Sequence, residues 1–301
     1  MISSPRDPST LRIALMHDRL DWHSRQLVKA FAATGAALIP SRLAHCGFDS
    51  RKPGGLDIDG FDALPDAVLV RLVTGGSFEA VTVRLGVLHA LGQLGIPVVN
   101  PARAVEICTD KSATSFALER AGLATPASWT LQSREAALAV AERETRSGQL
   151  VLKPLFGSQG RGLRLISRAQ DLPAAEEVAG VYYLQRFAGV DRGGYRDMRL
   201  LVSRGRVLAA MTRHADHWIT NIKQGATPAL AEPDGRTRDL ALKAAACTGA
   251  QIAGVDIVED ADGAPLVLEV NSMPGWSGLQ QVTPFNIAKS LAADMLAVAH
   301  G

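Results

Sequence analysis

The stretch Lys153-Pro-Leu-Phe-Gly-Ser-Gln-Gly-Arg-Gly162 places glycines at 157, 160 and 162. Glycines so closely spaced let backbone amides approach phosphate oxygens and form an anion-binding concavity. The stretch lies between two expected strands, QLVLKPL (149–155) and LRLIS (163–167). That setting argues against a Walker A loop and a Rossmann turn, each of which opens a helix. Taken alone, the same residues read equally well as an ordinary hairpin turn.

A second constellation combines Asp256 in AGVDIVED with Glu269 and Asn271 in LVLEVNSMPG. Strand alternation sends Glu269 and Asn271 to one face, and pairing of the two strands would bring Asp256 beside them. Three hard oxygen donors suit magnesium, which takes few carboxylates and fills its shell with water and phosphate. A solvent-facing polar edge is the alternative. Around these elements stand Lys111, Lys153, Arg199, Arg213 and Lys223. Each singly reads as a surface charge; together they could neutralise a transferring phosphoryl group.

The elements expected to position these groups begin with a β-α-β alternation. Strands at Leu11 to His17, Ala36 to Leu43, Ala67 to Val73 and Ile96 to Asn100 alternate with helices from Trp22 to Thr34 and Phe78 to Leu94. This predicts a small parallel sheet covered on both faces. From Pro101 two helical stretches flank Lys111, followed by a strand near Ser128 to Leu131, a helix from Ser133 to Ser147, the glycine-rich turn between its strands, another helix and the strand Val181 to Phe187. Beyond Ala188 come MRLLVSRGRVLAAMTRH, folded at Arg204-Gly205, a helix from Thr237 to Gly249, two strands joined through Asp262-Gly263, and a last helix from Phe285 to His300. The expected division is an α/β domain over 1–100, an α+β lobe over 101–188 and a second lobe over 189–301.

Composition sets limits on partners. With 32 basic and 30 acidic residues the net charge is +2, so no global field favours nucleic acid or a membrane surface. Cys46, Cys108 and Cys247 are odd in number and lack metal-ligand spacing, so they read as buried thiols of a reducing compartment. The opening MISSPRDPST fits neither a signal nor a transit peptide, and cytoplasm is the expected location.

Asp110-Lys111, KPLFGSQGRGL, LQRFA, Asp197-x-Arg199, AAMTRH, TNIKQGA, GVDI and LEVNSMPG follow one another from about Pro97 to Gln281 in an order that resembles the RimK-like ATP-grasp ligases. WHSRQLVKAF also looks like that family's first helix. The resemblance implies an ATP-grasp fold with an N-terminal Rossmann-like pre-ATP-grasp domain. It implies ATP and magnesium, or manganese, in a two-ion site, and amide formation through an acyl phosphate.

By the same resemblance Lys111 and Lys153 contact ATP phosphates, while Gly157, Ser158, Gln159, Gly160 and Gly162 fold over them. Gln185, Arg186, Phe187 and Ala188 form the hinge that reads adenine, and Asp191 meets the ribose. Asp256, Glu269 and Asn271 match magnesium ligands; Arg199, Arg213 and Asn221 match positions around the γ-phosphate and acyl phosphate. Arg186 departs from the acidic residue usual at its position, and MPGWSGLQQ departs after Asn271.

No protein nucleophile is needed, so His17, His45, His89 and His300 read as structural, whereas His214 and His217 could line the substrate site. Specificity is expected at the strand ends near His17, Arg19, Arg71 and Thr74, with Trp218 and Trp276 as stacking candidates. The expected partners are a small-molecule carboxylate and an amine, such as glutamate added to a pterin cofactor. Addition to a protein or carrier terminus, an ATP-grasp kinase and a non-catalytic nucleotide module are the alternatives, and self-association into a homo-oligomer is left open.

Overall fold

The computed structural model describes residues 10–157 and 159–300; the proline-rich start and Ser158 lie outside the described residues. Two units divide the chain, one formed by residues 1–103 with 285–301 and the other by residues 104–284.

The first unit opens with β1 (Arg12–His17), α1 (Trp22–Phe31) and β2 (Ala37–Arg42). A small hairpin of β3 (Gly47–Phe48) and β4 (Leu56–Asp57) precedes β5 (Ala67–Val70), α2 (Phe78–Gln93) and β6 (Val98–Val99). Its sheet has the order β2-β1-β5-β6, and every pair in it is parallel. Ile13 to Met16 are fully buried and Ala67 to Val70 nearly so, as expected of strands covered on both faces. α1 begins where the Asp21 carboxylate accepts the Ser24 amide, satisfying one of the helix's orphan donors.

α3 (Ala102–Thr109) begins at the last residues of the first unit's main segment; in the second unit it is followed by α4 (Lys111–Arg120), β7 (Ser128–Leu131), α5 (Arg134–Glu144), β8 (Leu150–Lys153), β9 (Arg164–Ile166) and β10 (Tyr182–Arg186). The order β7-β10-β8-β9 makes an antiparallel sheet whose inner face packs on α5 through Leu150, Leu152, Tyr182 and Leu184. Where a helix is expected between β9 and β10 there are two short 3-10 turns, at Ala169–Asp171 and Ala175–Val178. Pro173 stands between them, and a proline inside that span removes a donor and interrupts helical propagation.

A second antiparallel sheet follows, ordered β13-β12-β11-β14-β15. Its members are β11 (Tyr195–Ser203), β12 (Arg206–Ala215), β13 (Thr227–Leu230), β14 (Ile252–Glu259) and β15 (Pro265–Asn271). α6 (Gly235–Cys247) lays Ala241, Ala244 and Ala245 on it, small residues that permit close approach, and α7 (Ser277–Val282) packs against β12 and β13. Edge strand β13 was not expected from its sequence, since Pro228 argues against a central strand but is tolerated at an edge. The last helix, α8 (Ile287–Ala299), packs on α1 in the first unit, so the chain end expected in the second lobe belongs with the N-terminal sheet.

Candidate active site

A cavity in the second unit is walled by both of its sheets. From the side of the four-stranded sheet come Lys111, Val151, Lys153, Gly157, Gln159, Gly160 and Gln185 to Gly189; from the five-stranded side come Tyr195 to Asp197, Arg213, Trp218 to Asn221, Asp256 and Glu269. Of the expected residues, Gly162, Asp191, Arg199 and Asn271 are not part of that wall. Asp191 caps its own turn by accepting the amides of Gly193 and Gly194. Lys223 is exposed outside the cavity wall.

Alternation along β8 and β10 explains the first wall. Leu150, Leu152, Tyr182 and Leu184 face the core beneath α5, which sends Val151, Lys153, Tyr183 and Gln185 to the other face. Lys153 donates to Gln185 Oε1 at 2.6 Å. Burial, aided by the nearby Lys111 charge, pulls the Lys153 ammonium down to about 8 against the attraction of Glu269 and Asp256. Lys111 is the first residue of α4, whose cap Asp110 accepts the amides of Ser112 and Ala113, and its Nζ donates to the Gly157 carbonyl at 2.9 Å.

The glycine-rich segment needs its glycines. Gly160 has φ +71°, and a Cβ there would lie 2.5 Å from Asn221 Oδ1 and 2.7 Å from Ile219 Cγ2. Gly162 has φ +72°, and its Cβ would lie 2.8 Å from Pro154 Cγ. Gln224 Nε2 also reaches the Gln159 carbonyl at 3.3 Å, so two loops from opposite walls touch here. Ser158 lies outside the described residues.

The second wall is built of paired charges. Arg199 holds both oxygens of Asp256 in a two-pronged contact, and Arg213 does the same to Asp197. Arg213 Nη2 also lies 3.2 Å from Asp256 Oδ2. Burial pushes the Asp256 carboxyl up, but the Arg199 and Arg213 guanidiniums outweigh it and hold the group below its ordinary value. For Asp197 burial outweighs Arg213, and its carboxyl moves up; Arg213 itself is buried yet held firmly protonated by Asp256 and Asp197. Asp256 stands opposite Glu269 in the β14–β15 register and Asn271 opposite Gly254. Asn271, oriented to satisfy both ends of its amide, accepts from Arg199 Nη2 at 3.3 Å through its oxygen and donates from its nitrogen to Glu269 Oε1 at 3.2 Å. Two carboxylates and an amide oxygen at one strand pair form a donor set that fits a hard divalent cation.

Aromatic rings close one end. Phe187 meets Trp218 edge to face with centroids 5.9 Å apart, and Tyr195 at 6.3 Å. Trp276, by contrast, is 2% exposed and serves as packing. The Arg186 guanidinium turns to Glu144 and Ser147. In the first unit Arg71 pairs with Asp21 at 2.9 Å and Asp18 accepts from Thr74, so these strand-end groups hold one another. Asp197, Tyr183 and Ser115 escaped the sequence reading as individual site residues. Their one visible signal is spacing, with Asp197 two before Arg199 and Tyr183 two before Gln185.

Residues 108–295 match the RimK-like ATP-grasp domain, over half of the chain. The tetrahydromethanopterin:alpha-L-glutamate ligase of Methanococcus maripaludis is 34% identical across 67% of this chain and 70% of its own length. The protein of the same name from Methanosarcina acetivorans is 29% identical across 90% of this chain and 94% of its own. In fold the chain resembles the ATP-grasp ligase PsnB, solved with minimal precursor, Mg and ADP, with a TM-score of 0.75 at 22% identity, covering 99% of this chain and 100% of that one. No helix among the described residues is long and apolar enough to cross a membrane. The chain belongs to the RimK-like ATP-grasp family and is an ADP-forming ligase that uses ATP and magnesium to join a carboxylate to an amine.

Proposed function

We propose that the chain adds L-glutamate to a carboxylate of a pterin-class small molecule through an acyl phosphate. One observation carries the reading: Lys111, Lys153, Gly157, Gln159 and Gly160 line the same cavity as Asp256, Glu269 and Arg213. Cations and amides suited to a triphosphate thus face carboxylates suited to a metal. The name of the 34% identical relative supports glutamate and a pterin as substrates.

In this reading Lys111 and Lys153 bind phosphate oxygens, and the segment Gly157 to Gly162, Ser158 and Gln159 included, covers them. The main chain of Gln185, Arg186, Phe187 and Ala188 binds the adenine edge, and Asp191 serves the ribose. The unusual Arg186 side chain is engaged by Glu144 and so need not compete for the base. Asp256, Glu269 and Asn271 would hold two magnesium ions, with manganese as a substitute. When bound, the metal supplies Lewis-acid neutralisation of the phosphoryl charge. Arg199 keeps Asp256 in place, Asn221 meets the phosphate segment, and Arg213 at the cavity wall steadies the oxyanion formed as the amine attacks. The boundary between the two ATP-grasp lobes is placed near residues 188 and 189. The proposed location is the cytoplasm, and a net charge of +2 supports a reading with neither nucleic acid nor a membrane surface as partner.

Purified chain with ATP, magnesium, L-glutamate and a carboxylate-bearing pterin should release ADP and yield a product heavier by one glutamyl residue. A stable phosphorylated product without an amide would make it a kinase. Activity confined to peptide or carrier-protein acceptors would exclude the small-molecule reading.

A further inference from the structure

A buried chain of neutral side chains runs behind Lys153. Its ammonium donates to Gln185 Oε1 at 2.6 Å, Gln185 Nε2 donates to the Tyr183 hydroxyl at 3.3 Å, and that hydroxyl lies 2.7 Å from Ser115 Oγ. Gln185, Tyr183 and Ser115 are 1%, 2% and 8% exposed. Ser115 belongs to α4, the helix whose first residue is Lys111.

The chemistry of the donors fixes the direction of the chain. An ammonium has no lone pair, so it takes the amide's oxygen and turns the amide's nitrogen toward Tyr183. The tyrosine hydroxyl must accept there, which leaves its proton for a serine hydroxyl, Ser115 Oγ or Ser128 Oγ. A flipped amide would set NH2 against NH3+, two donors face to face. Lys153 therefore sets the amide orientation, Tyr183 holds it by accepting from Gln185 Nε2, and Ser115 links Tyr183 to α4.

We propose that Tyr183 and Ser115 are positioning residues for nucleotide binding, fixing the Gln185 carbonyl so that Lys153 is held at the cavity wall by a neutral tether and kept in register with Lys111. A carboxylate at that point would form an ion pair that phosphate must break. An amide releases the ammonium more readily, since a neutral acceptor binds a cation less strongly than a charged one. The proposal rests on the reading of Lys153 as a phosphate-binding residue.

The test is a double-mutant cycle on Mg-ATP affinity, measured by calorimetry on the full chain, with melting temperature recorded alongside. Tyr183→Phe should weaken binding roughly threefold to tenfold, the scale of one neutral hydrogen bond. Ser115→Ala should weaken it less, and it keeps the proposal testable should Tyr183→Phe not fold. In a Lys153→Ala background neither change should weaken binding further. Equal effects of Tyr183→Phe with and without Lys153, or unchanged affinity in both single variants, would overturn the proposal. If Lys153→Ala alone binds Mg-ATP like the parent, the phosphate reading of Lys153 fails, and the proposal falls with it.

Discussion

On the four-stranded sheet Lys153 is tied by a neutral amide, whereas on the five-stranded sheet Arg199 and Arg213 are tied by the carboxylates of Asp256 and Asp197. The difference follows from what each wall must do. A cation meant to meet an incoming phosphate needs a partner it can leave, and burial has already brought Lys153 to about 8. Groups that hold a metal site or an oxyanion site gain from fixed geometry, and paired buried charges supply it. Such pairs fail badly when halved, because the surviving charge stays buried without compensation.

The largest contrast should come from the metal side. Glu269→Ala is expected to cut ADP release by about a thousandfold or more, on the several kcal/mol that Lewis-acid stabilisation supplies; unchanged turnover would remove Glu269 from the donor set. Next, Asp197→Ala leaves Arg213 with only Asp256, and urea denaturation should show a loss of about 3 to 5 kcal/mol. Gln185→Leu, on the neutral wall, should lose less, about 1.5 to 3 kcal/mol, the scale of one hydrogen bond to a charged group. Equal losses would erase the distinction between the walls.

Gly160→Ala forces a side chain onto Asn221 at a positive φ. Strain of about 1 to 3 kcal/mol should raise the KM for ATP by about an order of magnitude and lower the melting temperature by several degrees. A normal KM would mean that the two loops separate without cost.

pH should act on the two walls in different ranges and through different readouts. Lys153 binds phosphate as a cation, so the KM for ATP should climb as pH rises through about 8. Because its folded pKa lies below the ordinary lysine value, the unfolded chain binds more protons above that point, and this group's contribution to stability rises with pH there. Asp256 is held below its ordinary value, so its contribution is present above the usual aspartate range and is lost as pH falls into the acid limb. A KM flat from neutral to alkaline pH would contradict the Lys153 half. The smallest effect is expected at the rim: Arg186→Ala breaks a partly exposed pair with Glu144 and should cost under about 1 kcal/mol, read as a shift in denaturation midpoint.

Most elements were legible in the sequence because their signals are local. The apolar run Leu11 to His17 became a buried parallel strand, and Arg204-Gly205, with φ of 48° and 69°, made the expected tight turn. The turn between β9 and β10 was misread as a helix because its alanine and glutamate content suits one; Pro173 decided otherwise. α8 carries an apolar face, but nothing local names its partner, and the fold seats it on α1.

The sequence by itself determined the glycine-rich segment, the order of the strands along the chain and the residue types of the donor set. Opposing positions were decided only by the tertiary structure, through two bulges. Counted back from Arg204-Gly205, a regular hairpin would set Asp197 opposite Thr212, but a shift at Leu201 and Val202 brings Arg213 there instead. Continued from the Glu259–Pro265 pairing, Asp256 would face Leu268, and a second shift at Asp256 and Ile257 places Glu269 opposite. A one-residue slip exchanges the faces of a strand, so both charged pairings depend on these irregularities. The physical reason is that a bulge is chosen by packing across the whole sheet, which no window of a single strand contains.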